Sequence, residues 1–147
     1  MTPPKACWPY SNPSPEKLLE IARESREGAY APYSDFKVGA AVLLENGLIV
    51  KGCNIENASF GLTICAERVA VFSAVCAKAG KPLAVAVAGE DGTPCIPCGA
   101  CLQVLSEFSE EILVVLDGAG TPSIYRLADL LPLRFGLEGQ DEHARPR

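Results

Sequence analysis

Strand-like and helix-like segments alternate along this chain of 147 residues, and that alternation leaves few folds open to it. Two β-rich apolar runs, at 36–44 and 48–55, flank Glu45-Asn46-Gly47. Asn-Gly between two such runs is the strongest short signal for a β-hairpin. The sheet is therefore expected to begin with an antiparallel pair of strands.

Helical patterns lie on both sides of this hairpin. Ser14-Pro15 has the form of an N-cap followed by proline at the first helical position, and an apolar stripe that includes Tyr30 predicts a helix to about Ala31. The later elements are predicted, in chain order, as a helix at 64–79, a strand at 83–88, a helix at 99–110, strands at 112–116 and 123–126, and a short helix at 128–131.

Helices that alternate with strands imply a parallel portion of sheet with helices on both faces. We therefore predict an α/β fold of three layers, α-β-α, around a mixed five-stranded sheet. Residues 14–135 are expected to form one domain, preceded by a flexible proline-rich segment at 1–13 and followed by a polar tail at 136–147.

Composition restricts the partners and the location. The chain has 13 Lys and Arg against 18 Asp and Glu, a formal net charge of -5, whereas nucleic-acid binding needs a basic face. The N-terminal segment lacks the continuous apolar run of a signal peptide or membrane span. The whole chain has 7 cysteines, an odd number, so they cannot all pair as disulfides. We expect a soluble cytoplasmic protein with no nucleic-acid or membrane partner.

Cysteines lie at the predicted starts of two helices. The sequence TICAER places Cys65, Glu67 and Arg68 in or beside the first turn of one helix, and the next helix begins at PCGAC, which contains Cys98 and Cys101. Helix N-termini favour anions by about 0.3–1 kcal/mol each. Both helix starts therefore favour thiolate, the form of cysteine that binds metals.

The residues alone leave the ligand set open. In TPCIPCGACLQ, either Cys95 with Cys98 or Cys98 with Cys101 could be a ligand pair, and all three could hold an iron-sulfur cluster. If the two helix starts face each other, Cys65, Cys98 and Cys101 supply the three protein ligands of a catalytic zinc, with water in the fourth position. Zinc lowers the pKa of bound water from about 15.7 toward about 7, and Glu67 can carry the released proton.

Two further residues bear on this hypothesis. Three thiolates leave a zinc centre one unit negative, and Arg68 is predicted to offset this charge by donating hydrogen bonds to the sulfurs. The single histidine, His143, lies in the polar tail and is not expected to be a ligand.

Four blocks in this order resemble the cytidine deaminase family, in its compact form with three cysteine ligands: APYSDFKVGAAV, GCNIENASFG, ICAER and PCGACLQVLSEF. The similarity covers about residues 31–135. Zinc deaminases carry a His or Cys, a Glu and then Pro-Cys-x-x-Cys. The resemblance therefore selects Cys65, Cys98 and Cys101 as ligands of one Zn2+ per chain, and it leaves Cys95 as a loop thiol near the site.

The resemblance also implies the reaction and the substrate contacts. Cytidine and deoxycytidine would be deaminated hydrolytically to uridine and deoxyuridine, with release of ammonia, in pyrimidine salvage. Activated water attacks C4 of cytosine, and Glu67 carries protons to ring N3 and to the departing amine. Phe36 would pack against the pyrimidine ring. The other implied contacts are Asn54 and Glu56 with the ribose hydroxyls, and the backbone of Ala66 with the base.

The resemblance to family members of this size also implies a homotetramer with shared active sites. By this analogy Ala58 and Phe60 come from a second subunit and Phe135 from another. Two positions depart from the family pattern. Leu102 replaces the usual arginine, which removes a cation near the thiolates or a subunit contact, and Phe60 replaces a common tyrosine, which deletes a hydroxyl near the sugar.

Other functions make different demands on the sequence. A deaminase of nucleotides or polynucleotides would need a basic phosphate site, and no Lys/Arg cluster surrounds the motifs. Another aminopyrimidine nucleoside remains open as substrate. An iron-sulfur or thiol-redox protein gives no role to the Cys-Ala-Glu block, and a structural zinc module would need a fourth protein ligand such as Cys95.

Overall fold

The computed structural model describes residues 3–118 and 120–137. These residues form one five-stranded sheet, in the order β2-β1-β3-β4-β5, with four α-helices packed on it. In chain order the elements are α1 (Pro15–Ser25), β1 (Gly39–Leu44), β2 (Ile49–Cys53), α2 (Ala66–Cys76), β3 (Pro82–Ala88), α3 (Gly99–Ser106), β4 (Leu113–Leu116), β5 (Ser123–Arg126) and α4 (Leu127–Leu130).

The sheet is mixed, as predicted. β1 pairs antiparallel with both β2 and β3, β3 runs parallel to β4, and β5 returns antiparallel along β4. The predicted hairpin joins β1 to β2, and Gly47 in its turn has φ 83°, which glycine adopts without steric cost. The predicted parallel portion is the β3–β4 pair.

Helices cover both faces of the sheet, which confirms the three layers. Because side chains alternate along a strand, β1 sends Ala41 and Leu43 toward α1 and sends Ala40 and Val42 toward α2. Alanines dominate the α1 side of the central strands, so α1 packs close to the sheet. The buried residues on that side are Leu18, Leu19, Ala22, Ala41, Leu43, Ala84, Ala86, Ala88, Leu113 and Val115.

The first helix is shorter than predicted, and the prediction that it continues to about Ala31 was wrong. It ends at Ser25, and a single 3₁₀ turn follows at Arg26–Gly28. Tyr30 is extended, because its N–H donates to Asn54 O and its C=O accepts from Glu56 N, at 3.0 and 2.8 Å. Pairing with this distant segment replaces the last predicted helical turn.

The other boundaries differ by a few residues. The second helix starts at Ala66 rather than residue 64, since Ile64 pairs with Ile55 in an isolated bridge. The third ends at Ser106 rather than residue 110. β1 starts at Gly39 rather than residue 36.

The N-terminal segment (residues 3–13) packs on the α1 side of the sheet. Ala6, Trp8 and Tyr10 contact the buried cluster there, and the Ala6 N–H donates to Ile124 O of β5 at 2.7 Å. His143 and most of the predicted tail lie outside the described residues. Within the described part of the chain, no helix has the length and apolarity needed to cross a bilayer.

Candidate metal centre and active site

Two of the predicted ligands occupy equivalent positions at helix N-termini. Cys65 is the N-cap of α2, with φ -71° and ψ 154°, and Cys98 is the N-cap of α3, with φ -68° and ψ 162°. Their carbonyls accept the first bonds of their helices, from Val69 N at 3.2 Å and Leu102 N at 3.0 Å. Neither thiol caps its own helix, so both are available to a ligand between the helices.

The two helix starts face each other. The Sγ atoms of Cys65, Cys98 and Cys101 (the sulfur group) all lie within 4.8 Å of one another, and those of Cys65 and Cys98 are 3.9 Å apart. Tetrahedral zinc with Zn–S bonds of about 2.3 Å requires sulfurs about 3.8 Å apart. The donor set therefore fits one zinc ion, with one coordination position left for a non-protein ligand.

Within the sulfur group, Cys65 is biased toward thiolate. The pKa of Cys65 is lowered to about 5, chiefly because it accepts a hydrogen bond from Cys101, with a further contribution from Arg68. The same bond raises the pKa of Cys101, so the two thiols titrate as a pair. Arg68 Nη2 donates to Cys65 Sγ at 3.7 Å, and its buried Nε has no hydrogen-bond partner among the described residues. Arg68 thus directs one N–H of its guanidinium toward the sulfur group.

Glu67 lies beside the sulfur group in the first turn of α2, and its side chain is almost completely buried, at 3% exposure. Burial raises the pKa of its carboxyl, and the nearby charge of Cys65 raises it further. A carboxyl with a raised pKa exchanges protons more readily near neutral pH than an exposed one does. The position and environment of Glu67 thus suit proton transfer.

Phe36 lies at the border of the same region. A Cβ added at Gly89 would be 3.0 Å from Phe36 Cζ and 3.3 Å from Cys95 Sγ, so the ring and the thiol meet at Gly89. Burial raises the pKa of Cys95 to about 11, and the charges of Glu67 and Cys65 contribute. Cys95 is therefore a neutral thiol next to the site and is not part of the sulfur group.

Asn54 holds the backbone that carries Phe36. Its Nδ2 donates to Phe36 O, and its Oδ1 accepts from Val38 N, both at 2.8 Å. This explains why β1 starts after residue 38. The amide keeps one N–H and one lone pair for a further hydrogen bond.

Glu56 binds the turn before Phe36. Its Oε2 accepts from Tyr33 N at 2.8 Å and Ser34 N at 3.3 Å, and the Ser34 hydroxyl donates to Oε1. The Ser34 hydroxyl and the Tyr33 N–H hold the pKa of Glu56 below its usual value. The carboxylate is only partly buried and retains lone pairs for another donor.

The residues expected to serve neighbouring subunits are exposed in the single chain. Ala58 is exposed, and so are Phe60, at 75%, and Phe135, at 73%. The Phe60 ring makes an edge contact with the Tyr33 ring. Phe36, Phe60 and Phe135 are called the rim aromatics below. The Gln103 side chain makes two hydrogen bonds with the Phe135 backbone. Gln103 Nε2 donates to Phe135 O at 2.9 Å, and Phe135 N donates to Gln103 Oε1 at 3.0 Å.

Two features near the site did not emerge from the sequence. Leu102, which was interpreted as a missing cation, is buried in the core beneath α3. Arg23 pairs with Asp117, 94 positions away, and no local pattern connects such partners. The sequence gives one signal for this pair: Asp117 directly follows the apolar run at 112–116, and a carboxylate at the end of a buried strand needs a charged partner.

Three cysteine sulfurs gathered at two helix N-termini, next to a buried glutamate, place this chain in the class of zinc-dependent hydrolases. The comparisons with known proteins narrow that class. The sequence model of a protein family, described as the cytidine and deoxycytidylate deaminase zinc-binding region, matches residues 13–116. The chain belongs to the cytidine and deoxycytidylate deaminase family.

Relatives agree over nearly their full lengths. A cytidine deaminase of Sporosarcina psychrophila is 50% identical over 125 residues, which cover 84% of this chain and 92% of the relative. One from Halalkalibacterium halodurans is 42% identical over 129 residues, with coverage of 86% and 98%. The crystal structure of cytidine deaminase from Burkholderia pseudomallei superimposes with a TM-score of 0.77 at 48% identity and covers 82% of this chain and 98% of that one. The predicted family, fold class, zinc cofactor and enzyme class are confirmed.

Proposed function

We propose that this enzyme removes the C4 amino group of cytidine and deoxycytidine by hydrolysis, forming uridine, deoxyuridine and ammonia as part of cytoplasmic pyrimidine salvage. One observation carries the proposal: the sulfur group converges beside buried Glu67, and the Phe36 ring meets the neighbouring Cys95 thiol at Gly89. Relatives that are 42–50% identical over most of the chain are cytidine deaminases, which supports this substrate class.

The residues divide the chemistry between them. Cys65, Cys98 and Cys101 would hold the zinc, which would supply the Lewis acidity that makes water nucleophilic near neutral pH. Glu67 would take the two protons of the attacking water in turn, passing the first to ring N3 and the second to the leaving amine, a role that its raised pKa suits. Arg68 donates toward the sulfurs and offsets their excess negative charge.

Substrate binding is assigned to residues at the border of this group. Phe36 packs its ring against the pyrimidine, backed by Gly89 and Cys95. Asn54 and Glu56 use their remaining hydrogen-bonding capacity on the ribose hydroxyls. The N–H groups in the first turn of a helix have no partner within the helix, so the Ala66 backbone is suited to contact the base.

We further propose a homotetramer with shared sites. The exposed rings of Phe60 and Phe135 support it, since a large aromatic side chain on the surface is suited to burial against another subunit. A cavity of about 420 Å³ on the outer face of α2, lined by Ile55, Leu62 and Phe72 among others, supplies an apolar surface for a second copy. Light scattering after size exclusion measures the assembly directly, and a monomeric active enzyme would refute sharing.

The test of function is ultraviolet absorbance of cytidine and deoxycytidine in the presence of purified enzyme, with zinc measured on the same sample. We expect conversion to the uracil nucleoside with about one zinc per chain. A Glu67→Gln variant should keep its zinc and lose turnover. Zinc without turnover in the wild type would leave the metal site intact and reject cytidine as substrate.

A further inference from the structure

Two arginines near the end of α1 hold the start of the loop that joins β3 to α3. Arg26 Nη1 donates to Gly89 O, and its Nη2 lies 2.7 Å from Asp91 Oδ1. The Arg26 Nε donates to Arg23 O at 3.1 Å, which fixes the guanidinium against the helix. One side chain thus binds both a backbone carbonyl and a carboxylate of the same loop.

An ion pair between Arg23 and a buried carboxylate fixes the next part of this loop. Arg23 Nη2 lies 2.8 Å from Asp117 Oδ2, and Asp117 is only 2% exposed. The same oxygen accepts from Gly92 N at 3.2 Å. Although burial raises the pKa of Asp117, hydrogen bonds from Arg23 and Gly92 outweigh it and hold the pKa below the usual value. The loop is therefore bound at residues 89, 91 and 92 by groups from α1 and the end of β4.

This anchored loop reaches the substrate side of the site at Gly89. The ring of Phe36 and the thiol of Cys95 both pack at that glycine, and a Cβ there would be 3.2 Å from Cys95 Cβ. Gly89 therefore has Arg26 bound to its carbonyl and Phe36 packed at its α-carbon. Any movement of Gly89 moves the surface on which the ring rests.

We propose that Arg26 is a positioning residue for the pyrimidine: by fixing Gly89 it sets the tilt of the Phe36 ring, and it acts on substrate binding without touching the substrate. The inference rests on the proposed function. Arginine suits this role because its planar fork can donate to the carbonyl of Gly89 and the carboxylate of Asp91 at the same time. A lysine has one compact ammonium in place of that fork.

The test compares Arg26→Met and Arg26→Lys with Lys17→Met, a control that removes an exposed charge from α1, where Lys17 pairs with Glu20. In Arg26→Met we expect the KM for cytidine and the dissociation constant for uridine to rise about tenfold, because a small displacement at a binding site is costly. We expect kcat and zinc content to change less than about twofold. Lys17→Met should match the wild type in all four quantities.

A double-mutant cycle with Phe36→Ala decides whether Arg26 acts through the ring. If it does, Arg26→Met weakens uridine binding in the wild-type background and has no effect in the Phe36→Ala background. Equal effects in both backgrounds, or a lowered Tm with unchanged KM, would overturn the proposal. If Arg26→Met does not fold, Arg26→Lys takes its place in the cycle. A wild type that binds uridine but does not convert cytidine rejects the proposed function instead.

Discussion

The sulfur group and the rim aromatics are built by different means. The sulfur group and Glu67 come from two helix N-termini, so secondary structure fixes the spacing within each helix start, and Glu67 and Cys101 are buried. The rim aromatics lie outside the α-helices and strands and are half to three-quarters exposed. Their orientation depends on partners elsewhere in the chain, such as Asn54 and Gln103. The position of each metal-site residue on its helix is thus locally encoded, whereas the rim aromatics are held in place by partners distant in the sequence.

The largest effect should come from breaking the sulfur group. Cys98→Ala removes one of three ligands, so we expect zinc to be lost and deamination to fall by more than about 10³-fold. Cys95→Ala, three residues away, should keep zinc, since the Cys95 thiol is neutral and outside the group. Metal analysis and turnover on both variants measure the difference, and zinc loss in Cys95→Ala would contradict the assignment.

A smaller loss of activity is expected from substitution of one of the rim aromatics. Phe36→Ala should lower kcat/KM by about 10- to 100-fold while zinc stays bound, because the proposed function assigns the ring to the substrate rather than to the metal ligands. Steady-state kinetics and metal analysis on one preparation test this. Loss of zinc from Phe36→Ala would show that rim and sulfur group are not independent.

Gln103 should matter less than the ring that it holds. Gln103→Leu removes both hydrogen bonds to the Phe135 backbone, and we expect KM to rise about threefold to tenfold, with Phe135 still present but less fixed. In a Phe135→Ala background the same substitution should have no further effect on KM. Additive losses would mean that Gln103 acts on α3 rather than on the rim.

The smallest effect is expected on stability, from the carboxylate that binds the loop between β3 and α3. Asp117→Asn should lower the free energy of unfolding by about 1–3 kcal/mol at neutral pH, since a charged hydrogen-bonding partner of Arg23 is removed. The folded pKa of Asp117 lies below its ordinary 3.8, so its contribution is complete above that pH and is lost as the pH falls through the folded pKa. Denaturant unfolding at several pH values should show wild type and variant converging in acid, and a constant difference would exclude this origin.

The sequence predicted well what neighbouring residues determine. Asn46-Gly47 predicted the hairpin, and cysteines at two predicted helix starts led to the zinc hypothesis because a helix N-terminus has a known electrostatic preference. It failed where distant segments pair. Tyr30 leaves the first helix because it binds Asn54 and Glu56, and Arg23 pairs with Asp117 across the sheet. Such partners are found only after the chain is folded.

The N-terminal segment also bears on how this enzyme behaves in concentrated solution. An edge strand offers unpaired backbone groups to any strand of another molecule and so promotes aggregation. The Ala6 N–H occupies the Ile124 carbonyl of β5, and Trp8 covers the adjoining apolar surface. The family model begins only at residue 13, beyond this contact. Trimming the chain to that point would open one edge of the sheet, so the shortened enzyme should precipitate at lower concentration than the full chain.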